Sequence, residues 1–150
     1  MSSKPASHHY NNNSKLVLEK HHSKWIYYIG CLSGINSMIG ILNGYYDTGL
    51  MVFAAFTTCL NYWRHPILGF RRNLDITVTS LSVTYNTYIA SYCDNSHLYQ
   101  MIAMTAIVLY CIGGMFYNYN YVGFSTFLHC MAHLGALTCS YLLFTHNICI

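Results

Sequence analysis

The chain has 150 residues, of which 54% are hydrophobic, 16% aromatic and only 7% charged, with a formal net charge of +3 at pH 7. That balance is too apolar and too poor in charge for an ordinary soluble domain, and the length leaves room for one compact bundle and no second domain. The positive excess is not a nucleic-acid footprint, because all seven Lys and Arg fall between Lys4 and Lys24 or between Arg64 and Arg72, and residues 73 to 150 carry neither. Moving basic residues across a bilayer is costly, so they stay with cytoplasmic segments, and this layout predicts a multi-spanning membrane protein with both patches on one face. The expected partners are membrane lipids, whose anionic headgroups the basic groups can touch, together with candidate membrane-protein partners and no nucleic acid.

Residues 1 to 24 read as a disordered, polar cytoplasmic tail. They carry the run His8, His9, Tyr10, Asn11, Asn12, Asn13 and no apolar stretch that could serve as a signal-peptide core. Residues 25 to 150 read as an all-α bundle of about five transmembrane helices, each weighed against the roughly 20 residues needed to cross the hydrocarbon core. The segments run from about Trp25 to Gly44, Gly49 to Tyr62, Ile76 to Tyr92, Leu98 to Tyr117 and Val122 to Phe144. With the tail cytoplasmic, the loop from Arg64 to Asn73 is cytoplasmic too, and the loop from Cys93 to His97 and the C-terminus lie on the opposite side. Trp25, Tyr27 and Tyr28, then Tyr45 and Tyr46, then Tyr117, Tyr119 and Tyr121 mark headgroup belts.

Gly30 and Gly34, repeated by Gly40 and Gly44, have the spacing that lets the first helix pack closely on a neighbour within the chain. In the third segment Ile76, Thr77, Val78 and Thr79 alternate like a strand, yet an isolated strand cannot satisfy its backbone in lipid, so a helix is expected. On that helix Asp75, Thr79, Ser82 and Asn86 form one polar stripe, which should face the bundle interior. The seven cysteines include no CxxC pair and suggest no disulfide framework. Most fall in apolar segments, where a small buried hydrophobe is the expected role.

The ionisable groups at membrane depth are His65, Asp75, His129 and His133, and such residues are by default hypotheses of function. His129 and His133 stand at i, i+4 on the fifth helix and so share a face. His65 closes the second helix before Pro66, and Asp75 opens the third. All four therefore lie toward the cytoplasmic half. Three neutral imidazoles and an open position match the way a catalytic zinc activates water. Asp75 is placed to orient a histidine, to bind the zinc-bound water or to act as its general base. The plainer readings stay open: Asp75 as a helix cap, His65 as an interfacial polar residue, and the other two histidines hydrogen-bonded between helices.

A histidine ending the second span, an aspartate opening the third and HxxxH in the last, here His129-Cys130-Met131-Ala132-His133, resemble the membrane hydrolase superfamily of alkaline ceramidases and progestin/adiponectin-type receptors. The resemblance implies a zinc site facing the cytoplasm in a seven-helix bundle, built from three histidines, an aspartate and a serine four residues before the first histidine. Asn61 occupies that serine's position, and five spans stand where seven are usual. The stretch Tyr62 to Pro66 followed by Arg71, Arg72 and Asp75 is also similar to uncharacterised multi-spanning proteins of protists and large DNA viruses. Two functions follow as expectations. One is a zinc-dependent hydrolase acting on a membrane lipid amide or ester, with His65, His129 and His133 as ligands, Asp75 as acid/base and Asn61 polarising the substrate carbonyl. The other is a non-catalytic membrane scaffold in which the same groups hydrogen-bond between helices. A transport role is weaker, because no inverted repeat is visible.

Overall fold

A computed structural model describes residues 17 to 93 and 96 to 145. The run from His8 to Asn13 and most of the expected tail lie outside the described residues. Five α-helices follow in chain order: α1 (Lys20–Leu42), α2 (Tyr46–Trp63), α3 (Phe70–Ala90), α4 (Ser96–Asn118) and α5 (Val122–Thr145). No strand occurs among the described residues, and the alternating third segment is helical, as expected.

Three of the helices, α1, α4 and α5, are long and apolar enough to cross a membrane, where five such segments were expected. The shortfall has a local cause in each remaining helix. Tyr46, Asp47 and Thr48 at one end of α2 and Asn61, Tyr62 and Trp63 at the other leave a short apolar centre. Helix α3 begins with Arg71, Arg72, Asn73 and Asp75 and continues rich in Ser and Thr. At about 1.5 Å per residue, these two still extend roughly 27 and 31 Å and run beside the apolar three.

Hydrogen bonding fixes which ends lie together. The Val17 amide donates to the Pro66 carbonyl at 2.8 Å, and the Tyr117 hydroxyl donates to the Val17 carbonyl. Leu18, Ile26, Cys59, Tyr62 and Trp63 form one apolar cluster there, with Val122 packed against it. The start of α1, the end of α2, the end of α4 and the start of α5 thus meet at one end of the bundle. Lys20, Lys24, Arg64, Arg71 and Arg72 share that end, so the described residues of both basic patches lie at one end of the bundle. A second apolar cluster at the far end joins Val52, Ala90, Tyr99, Ala103, Leu143 and Phe144.

Polar side chains are buried inside the bundle while large apolar ones are exposed outside it. Asn36, Ser37, Thr48, Ser82, Asn86, Ser125 and Ser140 are buried, while Leu32, Ile35, Leu50, Leu81, Met101, Met104, Phe127 and Tyr141 are exposed on the outer faces. A soluble monomer rarely leaves so much contiguous apolar surface in water, whereas lipid tails accept it. The buried polar groups instead tie helices together. Asn36 donates from Nδ2 to the Leu137 carbonyl at 3.0 Å and to Ser140 Oγ at 2.8 Å, and Asn43 donates to the Phe144 carbonyl at 3.0 Å.

The small residues of α1 do pack inside the chain. A Cβ on Gly30 would stand 3.1 Å from Cys59 Sγ, and one on Gly34 would stand 2.7 Å from the Phe56 ring, so both serve the α1–α2 contact. Gly40 meets the Phe144 ring at 2.8 Å on the other side. Gly44 has a different role: its φ of +88° turns the chain from α1 into α2, a conformation that costs glycine nothing.

Helix boundaries differ from the sequence expectation at two functional places. The first helix begins at Lys20, five residues before Trp25, so the last basic turn of the expected tail is helical. Helix α3 begins at Phe70 after Gly69, whose φ is +134°, so Asp75 lies in its second turn and does not cap it. Cys93 is disulfide-bonded, a pairing that the spacing of the cysteines does not reveal. Cys31, Cys59, Cys111, Cys130 and Cys139 are free.

Candidate functional site

Around the bundle the helices pack in the order α3, α2, α1, α5, α4, and each neighbouring pair in that series is in extensive contact. The ring does not close, because α3 touches α4 and α5 only sparsely although a short loop joins α3 to α4. Consecutive helices with a short connection ordinarily pack as antiparallel neighbours. Here they meet near the loop, where Ala90, Cys93, Tyr99 and Ala103 cluster, and residues farther along both helices face open space. The result is a horseshoe around a chamber of about 730 Å³, with residues of all five helices in its wall. That volume lies in the range of about 300–1,000 Å³ typical of small-molecule sites.

The wall surface is mostly apolar, with Val52, Phe56, Val83 and Ala103 among its residues, but many polar side chains also line it, among them Thr79, Ser80, Thr84, Ser125, Thr126 and Ser140. Taking about 1.5 Å per residue from the basic end, Asp75 lies about 8 Å along α3, His129 and His133 about 10 and 16 Å along α5, and Tyr110 about 12 Å along α4. Together these four form a polar band part-way up the chamber. Arg72 lines the chamber nearer the basic end, and Asn86 near the far end.

The i, i+4 spacing on α5 performs as geometry demands: the rings of His129 and His133 lie 5.0 Å apart with an interplanar angle of 48°. Trp63 stands edge-on to His129 at 5.0 Å, and Tyr110 at 5.1 Å covers another side. Both histidines are partly exposed, and as wall residues they present that surface to the chamber. Close backbone approach holds them there. Gly113 on α4 brings the site of its missing Cβ to 3.4 Å from the Ser125 carbonyl and 3.7 Å from the His129 nitrogen, and Gly135 sits against Ala106. A Cβ at Gly135 would stand 2.9 Å from the Ala106 Cβ and force α4 and α5 apart, whereas one at Gly113 would be in ordinary van der Waals contact.

Asp75 is buried on α3 and accepts a hydrogen bond from Thr58 Oγ1 at 3.2 Å. The same hydroxyl can instead donate to the Ala55 carbonyl of its own helix at 3.1 Å. One hydroxyl has one hydrogen, so these are alternatives. The stripe expected to face inward does so, with Asp75, Ser82 and Asn86 buried and Thr79 half-buried. Asn86 Nδ2 reaches Ser82 Oγ at 3.4 Å, and Asn86 Oδ1 is buried with no hydrogen-bond partner.

His65 and Asn61 stand apart from this group. Both are exposed, whereas Tyr62 and Trp63 between them are buried. Helix α2 ends at Trp63, so His65 falls in the turn that follows, where the Ile67 amide bonds its carbonyl at 2.9 Å, and the helix register no longer directs its side chain inward. The residue that α2 sends toward His129 is Trp63. Among the described residues no three His, Cys, Asp or Glu side chains form a group that could hold a metal ion. The chamber is lined by His129, His133 and Asp75 together with the thiols of Cys59, Cys111 and Cys139, and His65, the third histidine that the resemblance implies, is not among its lining residues.

The chain matches no protein-family model, no curated protein and no solved structure. Three long apolar helices in one helical bundle are compatible with a membrane protein, and the function has to be argued from the chamber.

Proposed function

We propose that this chain is a multi-pass integral membrane protein that binds an amphiphilic small molecule of the membrane in the chamber enclosed by its five helices. The basic end, with Lys20, Lys24, Arg64, Arg71 and Arg72, faces the cytoplasm, and α2 and α3 cross the membrane beside the three more apolar helices. The observation that carries this reading is the chamber itself, a largely apolar wall that carries Asp75, Tyr110, His129 and His133 spread over roughly 8 Å of its height, with the hydroxyls of Thr79, Ser80, Thr84 and Thr126 beside them. Such a wall supplies burial for an apolar body and a few fixed polar groups for orientation.

The experiment is native mass spectrometry of the protein released from nanodiscs, followed by identification of any retained small molecule. A retained adduct in wild type that is lost in Thr79→Phe, which fills the chamber from α3, supports the reading. A well-folded wild type with no adduct in membranes of several compositions would overturn it.

A hydrolytic role keeps one specific support, which is that Asp75 and the His129/His133 pair line the same chamber. Two neutral imidazoles and a carboxylate can exchange a proton with a bound ester or amide. Bound zinc would have to recruit a further ligand beyond His129 and His133. Zinc content compared between wild type, His129→Ala and His65→Ala separates the cases. Loss in the first variant alone would favour a metal held in the chamber, and loss in neither leaves the histidines as packing and hydrogen-bonding groups.

A further inference from the structure

The opening of the horseshoe has two rims. On α3, Ile76, Ser80 and Thr84 both line the chamber and are exposed, and they recur at i, i+4 and i+8. On α4, Ile107, Tyr110, Cys111 and Gly114 do the same at i, i+3, i+4 and i+7. Residues that are at once wall and surface define a mouth, and this one faces sideways, between two helices. The far end is closed by the cluster of Ala90, Cys93, Tyr99 and Ala103. At the basic end a Cβ on Gly114 would meet nothing within 4 Å. The mouth is therefore wedge-shaped and widens toward the basic end.

Charge at that end is mainly positive: Lys20, Lys24, Arg64, Arg71 and Arg72 stand against one exposed acid among the described residues there, Glu19 at the start of α1. Arg72 reaches into the chamber, and among the described residues it has no hydrogen bond or salt bridge. Arg64 and Arg71 are exposed beside it, and the nearest acidic residue in the sequence, Asp75, is turned inward to Thr58. Around the same end, Leu68, Phe70 and Met115 are exposed apolar side chains, the kind of surface that sits among acyl chains just below headgroups.

We infer that the ligand is an anionic glycerophospholipid of the leaflet at the basic end, with its phosphate on Arg72 and one acyl chain passed sideways between α3 and α4 into the chamber. This rests on the chamber-binding reading above and names its ligand class. The unpaired cation, the sideways mouth and the apolar wall beyond it each account for one part of such a molecule. A neutral lipid would leave Arg72 unanswered, and a water-soluble anion would leave the apolar wall empty. The second acyl chain stays outside, along the exposed faces of α3 and α4.

The sequence holds two tryptophans, and this supplies a local reporter. Trp25 is 59% exposed on the outer surface, whereas Trp63 is 7% exposed and lines the chamber. In a Trp25→Phe variant reconstituted in phosphatidylcholine vesicles, Trp63 fluorescence is titrated with phosphatidylglycerol or phosphatidylcholine brominated in the acyl chains. Bromine quenches at short range, so an acyl chain in the chamber is read directly. The expected result is half-quenching at a mole fraction of brominated phosphatidylglycerol about fivefold lower than of brominated phosphatidylcholine, the preference one basic group contributes at a membrane surface. Arg72→Gln abolishes the preference, Arg72→Lys keeps it, and Gly114→Phe at the mouth weakens quenching by both lipids.

Equal quenching by the two lipids in the Trp25→Phe protein, or a preference that survives Arg72→Gln, overturns the inference. If mass spectrometry then still finds a retained molecule of another class, the chamber reading stands and only the ligand class falls. If neither lipid quenches Trp63 and no adduct is retained, both fall together.

Discussion

Replacing Asn36 by Leu should loosen the bundle by about 1–2 kcal/mol, and the figure follows from its bonding. Asn36 is buried on α1 and donates twice across to α5, to the Leu137 carbonyl at 3.0 Å and to Ser140 Oγ at 2.8 Å. An interhelical hydrogen bond between membrane helices contributes about 0.6 kcal/mol on average and at most about 1.7. Two average bonds give about 1.2 kcal/mol, close to a tenfold change in an equilibrium constant. Leu keeps the branching of Asn at Cγ but is bulkier, so any packing change enters the single-variant figure and cancels in the double-mutant cycle. Ser140 is not stranded either, because its hydroxyl still donates within α5, either to the Ala136 carbonyl at 3.0 Å or to the Leu137 carbonyl at 3.2 Å. That keeps the cost well below the penalty for an orphaned buried group. The assay is reversible unfolding from mixed micelles with increasing dodecyl sulfate, followed by far-ultraviolet circular dichroism, run as a double-mutant cycle with Ser140→Ala. A coupling of roughly 0.6 kcal/mol between the two positions is expected. An Asn36→Leu protein as stable as wild type, or two changes that add in full, would refute the assignment of these bonds to the α1–α5 contact.

Other expectations follow from single contacts. Gly34→Leu should destabilise by about 1–3 kcal/mol, because the added side chain has to displace the Phe56 ring only 2.7 Å from the new Cβ. Pairing it with Phe56→Ala should recover part of the loss in the same unfolding assay, and no recovery would count against direct contact. Cys111 at the mouth is exposed while Cys59 and Cys139 are buried. A membrane-permeant maleimide should therefore label Cys111 first, and added phosphatidylglycerol should slow that labelling, read by mass spectrometry of peptides. His129→Phe keeps a flat ring in the cage of Trp63 and Tyr110 and should cost less than about 1.5 kcal/mol, whereas His129→Ala leaves a void and should cost about 2–4 kcal/mol. Equal losses would mean that the imidazole nitrogens, and not the ring, stabilise this part of the bundle.

The helical bundle, the common end of the described basic residues and the inward stripe from Asp75 to Asn86 were legible in the sequence, because each rests on periodicity or charge. The helix starts were not, for a physical reason. Hydropathy marks where lipid begins, while a helix ends where hydrogen bonding ends, so α1 runs back through Lys20 to Lys24 and α3 through Phe70 to Leu74 without any apolar signal. That error put Asp75 at a cap when it belongs to the second turn. The histidines divided in the same manner. His129 and His133 are fixed relative to one another by a single helix, so their spacing in the sequence is their geometry. His65 depended on how the chain leaves α2, and the helix stops two residues too early to carry it inward. Trp63 was legible only as an interfacial aromatic, since nothing in its local sequence reports that α5 lies across from it. The gap between α3 and α4 was not legible at all, because a short loop ordinarily implies close neighbours.

That gap and the low apolarity of α3 have one explanation. A helix packed on both flanks in a membrane can hide polar groups against two neighbours, but α3 has only α2 as a close neighbour. Asp75 bonds Thr58 on that neighbour, and Ser82 and Asn86 bond each other within α3. Thr79, Ser80 and Thr84 are left to the chamber and its mouth. Hydroxyls on a lone helix can bond back to their own carbonyls, so they tolerate an apolar setting at small cost, and they remain free to rotate toward a ligand. Asn86 Oδ1 has no such recourse. A buried acceptor with no donor is costly, and the apolar flank of α4, where Ala103 and Ile107 stand, offers it none, so closing α3 onto α4 would not relieve it. Asn86 also lines the chamber, so a rotation of its amide is what would bring Oδ1 to a polar group of a bound molecule, and the packing of α3 is inseparable from what occupies the chamber.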